Sequence, residues 1–124
     1  MLEQWGKTWG MRFNAKKCNI LRISRSKTPF TKFYDLYERI LDEVDEAKYL
    51  GILVSNDLQW SSHIKGVSKK ANATLGFLRR NLRHCPQKFK EGAYIAMVRS
   101  VLEYSGSVWD PYLVKDKDAL EKIQ

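Results

Sequence analysis

One arrangement between Ser62 and Arg99 restricts the choice of fold more than any other feature. Ile64, Val67, Ala71, Leu75 and Leu78 recur at steps of three and four residues, which puts them on one face of an α-helix. Lys65, Lys69 and Lys70 fill positions between them, and Arg79 and Arg80 follow the last. Such a helix buries one side and turns a cationic side outward. The hydroxyl of Ser61 or Ser62 is predicted to cap its start. Pro86 suits the first turn of a second helix, where its missing N–H costs nothing, and Phe89, Ala93, Ala96, Met97 and Val101 mark that helix's face. From Ala93 to Leu102 only Arg99 and Ser100 are strongly polar, so this stretch is expected to be sandwiched between partners. Ser105 to Tyr112 reads as a connection and Lys115 to Gln124 as a third helix.

The first half of the chain reads differently. Leu2, Trp5 and Trp9 have helical spacing, and Gly10 is suited to end that helix. Short strand-like pieces follow: Met11 to Phe13, then Cys18 to Ser24 with Ile20, Leu21 and Ile23. Ser26 to Thr31 reads as a loop. Phe33 to Tyr37 alternates, and Ile40 to Val44 is its expected hairpin partner across Glu38-Arg39. Ala47 to Val54 is expected as one strand around Gly51, closed by a turn at Asn56-Asp57. The predicted fold class is α+β: short antiparallel strands, then about three helices.

Charge adds a functional constraint. The chain of 124 residues carries a net charge of +8. Ser62 to Arg99 holds nine basic residues (Lys65, Lys69, Lys70, Arg79, Arg80, Arg83, Lys88, Lys90 and Arg99) and one acid, Glu91, which accounts for the whole excess. A positive field confined to one segment attracts polyanions. Charged helical faces are often merely solvated, but one this one-sided favours nucleic acid. Trp109 and Tyr104 read as core residues rather than base-stacking platforms.

Other classes find little support. Apolar residues make up 44% and charged residues 29% of the chain, a balance suited to a folded domain. No apolar run approaches the roughly 18 residues that span a bilayer. No secretory signal is evident, and an intracellular location is expected. Cys18, Cys85, His63 and His84 lack zinc-ligand spacing, so no metal site is predicted. The cysteines read as free thiols, and the adjacency of His84 and Cys85 is a poor geometry for a nucleophile and its base.

Three blocks carry a resemblance. The first runs from Trp5 to Cys18, with the form W…W-x-M-x-F-N-x-x-K-C. The second is Ala47-Lys48-Tyr49-Leu50-Gly51-Ile52, followed by Asp57-Leu58-Gln59-Trp60-Ser61-Ser62-His63-Ile64. The third is Leu75-Gly76-Phe77-Leu78-Arg79-Arg80-Asn81-Leu82, with Val98 to Tyr104 and Val108-Trp109-Asp110-Pro111 beyond it. Together they resemble reverse transcriptases of non-LTR retrotransposons, particularly the jockey-like group, over essentially the whole chain.

The resemblance implies a division of labour. Residues 1–58 would be the C-terminal part of a polymerase palm with a primer-grip hairpin, and residues 59–124 a helical thumb, truncated at its C-terminus. Lys17, or its neighbour Lys16, would lie near the triphosphate and protonate the leaving pyrophosphate, since an ammonium both donates a proton and stabilises developing negative charge. The other reading of both lysines is solvated loop charge. Tyr49, Leu50 and Gly51 would form the primer grip, Tyr49 packing on a sugar or bonding a phosphate and Gly51 admitting a close backbone. On residues alone, Gly51 equally fits a bulge in a buried strand. Lys65, Lys69, Lys70, Arg79, Arg80 and Arg83 would neutralise phosphates of an RNA–DNA or DNA template–primer duplex, independently of sequence.

The remainder of the polymerase is the second implied partner. The family holds Mg2+ partly on an aromatic-x-Asp-Asp turn, and this sequence has no Asp-Asp pair. No cofactor is therefore expected for the chain alone, and no catalysis without a longer protein. Unpaired strands in residues 1–58 would make it sticky. The family works at chromosomal DNA, which implies a nuclear location. Two alternatives remain: a domesticated, non-catalytic nucleic-acid-binding protein, or a truncated element product without function.

Overall fold

A computed structural model describes residues 1–123 except Arg25, Lys27 and Pro29. Those three and Gln124 lie outside the described residues, so the Ser26–Thr31 loop and the end of the third helix are covered only in part. The chain divides into two compact units, Met1–Gln59 and Trp60–Gln124. The first holds the strands and the second is helical, giving the expected α+β class.

In the first unit, α1 spans Leu2–Thr8 and Gly10 follows it with φ +65°. The chain then doubles back closely: the Met11 N–H donates to the Gly6 carbonyl at 2.8 Å. A Cβ on Gly6 would sit 2.7 Å from the Met11 carbonyl oxygen, closer than nonbonded atoms approach, so only glycine fits. Trp5 stacks on Phe13 with ring centroids 6.0 Å apart, and this contact fixes the return. Asn14 caps a single 3₁₀ turn, Ala15–Lys17, its side chain accepting from the Lys16 N–H at 3.1 Å.

Three two-stranded ladders follow. β1 (Asn19–Leu21) pairs with β4 (Asp42–Val44), β2 (Asp35–Leu36) with β3 (Arg39–Ile40), and β5 (Glu46–Tyr49) with β6 (Ile52–Ser55). The last two are antiparallel, as expected, whereas β1 and β4 run parallel. Arg22, just past β1, makes a two-pronged ion pair with Glu43 of β4, Nε–Oε1 at 2.8 Å and Nη2–Oε2 at 2.9 Å. Its remaining N–H groups donate to the carbonyls of Phe30 and Lys32, so one guanidinium holds the ladder and the loop beside it.

Other details depart from the sequence reading. Met11–Phe13 is not a strand. The first hairpin turns at Tyr37-Glu38, one residue earlier than expected, with φ of 52° and 63°. Ala47–Val54 is not one strand: it folds back at Leu50-Gly51, with φ of 47° and 85°. Positive φ at both central positions matches the twist of a two-residue hairpin.

In the helical unit, α2 (Ser61–Asn81) presents its apolar stripe to a chain that runs through α3 (Gln87–Tyr94), a π-helical turn (Ile95–Arg99) and α4 (Ser100–Glu103). Ala71, Leu78, Val98, Leu102 and Ile123 form the core, with Val67, Leu75, Leu82, Ala93, Tyr94 and Leu120 against them. Short α5 (Gly106–Trp109) and α6 (Val114–Glu121) complete the unit. Trp109 is 2% exposed, donates from its indole N–H to the Tyr104 carbonyl at 2.8 Å, and meets His63 edge-on. It is a core residue, as predicted, whereas Tyr104, expected in the core as well, is 55% exposed.

Neither helix start forms as drawn. Trp60, not a serine, occupies the N-cap of α2 and makes no side-chain cap bond. The Ser61 hydroxyl instead donates to Asp116 at 2.7 Å. Asp116 is 8% exposed, and its carboxylate supplies the negative charge that the start of α2 lacks. Pro86 sits at the N-cap of α3 rather than inside its first turn. The stretch Ala93–Leu102 is covered on one side only: Val98 is buried, while Ile95 and Met97 remain 55% and 45% exposed.

Candidate nucleic-acid interface

The cations of α2 owe their positions to the stripe that anchors the helix. At about 100° per residue, burying Ile64, Ala71 and Leu78 brings Lys65, Lys69 and Arg80 within about 60° of one another on the outer side. Lys65 and Arg80 are about 22 Å apart along the axis. Arg79 lies nearer the core edge, Lys70 falls about 100° round from Lys69, and Arg83 stands beyond the helix end. The six predicted cations thus divide into a stripe of three and three outliers.

All six are exposed. Among the described residues none has an acidic partner within 4.0 Å. No Asp or Glu occurs anywhere in α2. Along the stripe, Gly76 leaves room against which the Arg80 guanidinium lies, 3.5 Å from where a Cβ would be, and Gly66 faces open space. The surface is therefore low and cationic, and its charge is not spent internally. Arg99 is different. It pairs with Glu103 at 2.6 Å, an acid just past the segment whose charge was counted, so it does not add to the free positive field.

The first unit places its candidates on two sides of the 3₁₀ turn. Lys17 lines a cleft of about 1170 Å3 that also takes in Tyr34, Asp35, Glu46, Lys48 and Tyr49. Lys16 lines a separate hollow of about 470 Å3 with Arg12, Phe13, Tyr37 and Arg39. Lys17 and Tyr49 therefore share a concavity, and Lys16 does not join them. Tyr49 and Leu50 are 71% and 73% exposed at the tip of the β5–β6 hairpin. Gly51 completes a turn there rather than a bulge. Beyond the hairpin, Asp57 accepts the Ser55 hydroxyl at 2.6 Å and the Gln59 N–H at 2.9 Å. These bonds hold its carboxyl below the ordinary range, the serine contributing most.

The aromatic and cationic cluster around Arg12 was not singled out from sequence. Arg12 lies over the Tyr37 ring at 5.2 Å, Tyr37 receives the Phe13 N–H, and its own N–H donates to Glu3. The partners are 24 and more residues apart, so no local signal marks them. Among the described residues no three His, Cys, Asp or Glu side chains are placed to share a metal ion. Cys18 and Cys85 are free thiols. No helix is long and apolar enough to cross a membrane.

Comparison with known proteins adds one relative. The chain is similar to a Drosophila melanogaster protein described as "Probable RNA-directed DNA polymerase from transposon BS", with 27% identity over 112 residues. The match covers 87% of this chain and 12% of the Drosophila protein. That similarity relates the chain to a transposon-borne reverse transcriptase. No protein-family model matches the chain, and no solved structure matches it.

Proposed function

We propose that this chain supplies template–primer binding to RNA-directed DNA synthesis by a non-LTR, jockey-like reverse transcriptase. The helical unit acts as the thumb and the β5–β6 hairpin as the primer grip. The observation that carries this reading is the unpaired cationic stripe Lys65, Lys69 and Arg80 on a 21-residue helix without acids. Cations so arranged neutralise phosphates and release counterions without reading bases, as a polymerase that copies every sequence requires. Lys70, Arg79 and Arg83 widen the field.

The shared cleft supports Lys17 over Lys16 as the residue that protonates pyrophosphate, with Tyr49 at the primer end. The carboxylates that hold Mg2+ in this family would come from the rest of the polymerase, the chain's second partner. The family this reading invokes works at chromosomal DNA, so the nucleus is the compartment it implies.

The experiment is a binding titration of the 124-residue chain against RNA–DNA and DNA duplexes of unrelated sequence at low salt. The expected result is weak affinity, equal across sequences and falling steeply with salt. No binding at low salt, or binding confined to one sequence, overturns the proposal.

A further inference from the structure

Residues of the last two turns of α2 and of α3 line a groove of about 680 Å3. Leu75, Leu78, Leu82, Tyr94 and Ile95 line its floor. Arg79 and Arg83 stand on one wall and Lys90 on the other. The single acid at the rim, Glu91, is engaged by the Gln87 amide at 3.0 Å. The Lys90 ammonium donates to the Arg83 carbonyl at 3.2 Å, closing one end.

We infer that this groove docks an amphipathic helix with acidic flanks, carried by a partner protein. The floor requires apolar side chains, and the rim of three cations requires carboxylates beside them. Leu75 to Leu82 covers about two helical turns, which matches a helix presenting apolar residues at i, i+3, i+4 and i+7. A nucleic-acid duplex fits poorly, because phosphates laid on an apolar floor lose water without gaining partners. One tyrosine ring is no stacking ladder for bases. A peptide added as a β-strand needs a sheet edge, and the helical unit has no strand among its described residues. A second copy of the chain offers no helix of the complementary charge: α1 balances Glu3 with Lys7, the exposed acids of α6, Asp118 and Glu121, are matched by Lys115 and Lys117, and the acidic run from Asp35 to Glu46 lies on short strands and turns.

The test uses the full chain and a synthetic helical peptide with leucines at i, i+3, i+4 and i+7 and glutamates on both flanks, read by fluorescence anisotropy. A peptide with lysine in place of every glutamate is the control. The acidic peptide is expected to bind at least about tenfold more tightly than the control. Ile95→Glu and Arg83→Glu should each weaken it by about tenfold or more, while circular dichroism stays unchanged. Replacing Lys65, Lys69 and Arg80 with glutamine should leave peptide binding intact, which separates this site from the three-cation stripe; Arg79 and Arg83 belong both to the groove and to the wider cationic field. Equal affinity for both peptides overturns the inference, as does indifference to Ile95→Glu. If Ile95→Glu weakens duplex binding as much as peptide binding, the groove belongs to the nucleic-acid face and the inference fails. It also fails if the substitution abolishes only self-association, since a second copy is then the occupant.

Discussion

Replacing Lys65, Lys69 and Arg80 together with glutamine removes the stripe's charge and leaves the rest of α2 in place. Glutamine keeps much of the aliphatic stem and is a good helix former, and all three side chains are exposed without an acidic partner among the described residues. Stability should therefore change by only a few tenths of a kcal/mol. Binding should change far more. Each phosphate contact contributes about 0.9 to the slope of log K against log salt, so losing three flattens it by about 2.7. Between 50 and 200 mM salt that amounts to about 40-fold less variation in affinity. The assay is duplex anisotropy at four or five salt concentrations. Lys115, Lys117 and Lys122, converted to glutamine together, provide a control with the same change in net charge. An unchanged slope in the stripe variant, or the same flattening in the control, would refute phosphate contact by this face.

Two further predictions concern the helical unit itself. His63 is 5% exposed against Trp109, and burial lowers its pKa below the ordinary 6.5. The unfolded chain therefore takes up the proton first, so the unit is most stable above pH 6.5 and loses stability as pH falls toward the folded pKa, by at most about 1.4 kcal/mol per unit. Chemical unfolding from pH 7.5 to 5.5 should show this slope, and His63→Phe should abolish it; a flat wild-type profile contradicts the burial argument. Ser61→Ala leaves the Asp116 carboxylate without its hydroxyl donor and should cost about 1–3 kcal/mol, read as a lower unfolding midpoint, whereas an unchanged midpoint would mean that the bond contributes nothing.

The features legible in the sequence were those repeated along one element. The three- and four-residue steps of Ile64, Val67, Ala71, Leu75 and Leu78 span most of α2, and five positions agreeing on one face outweigh any local ambiguity. What failed depended on distant partners. The Ser61 hydroxyl goes to Asp116, 55 residues on, and nothing near Ser61 signals that. The parallel pairing of β1 with β4 is held by Arg22 and Glu43, 21 residues apart. Leu50 hid a hairpin turn, because a leucine at positive φ is an uncommon choice there and the flanking apolar run reads as one strand. Nothing local marks Gly6, whose need for glycine arises only where the returning chain brings the Met11 carbonyl against it.

Residue-level mapping tests the central claim most directly. In the 124-residue chain, amide chemical shifts are followed by NMR as an RNA–DNA duplex is added at low salt. The account predicts that the largest changes follow the outer face of α2 at residues 65, 69, 76 and 80, and that they reverse when salt is raised. No change at low salt, or changes that spare α2, would contradict it.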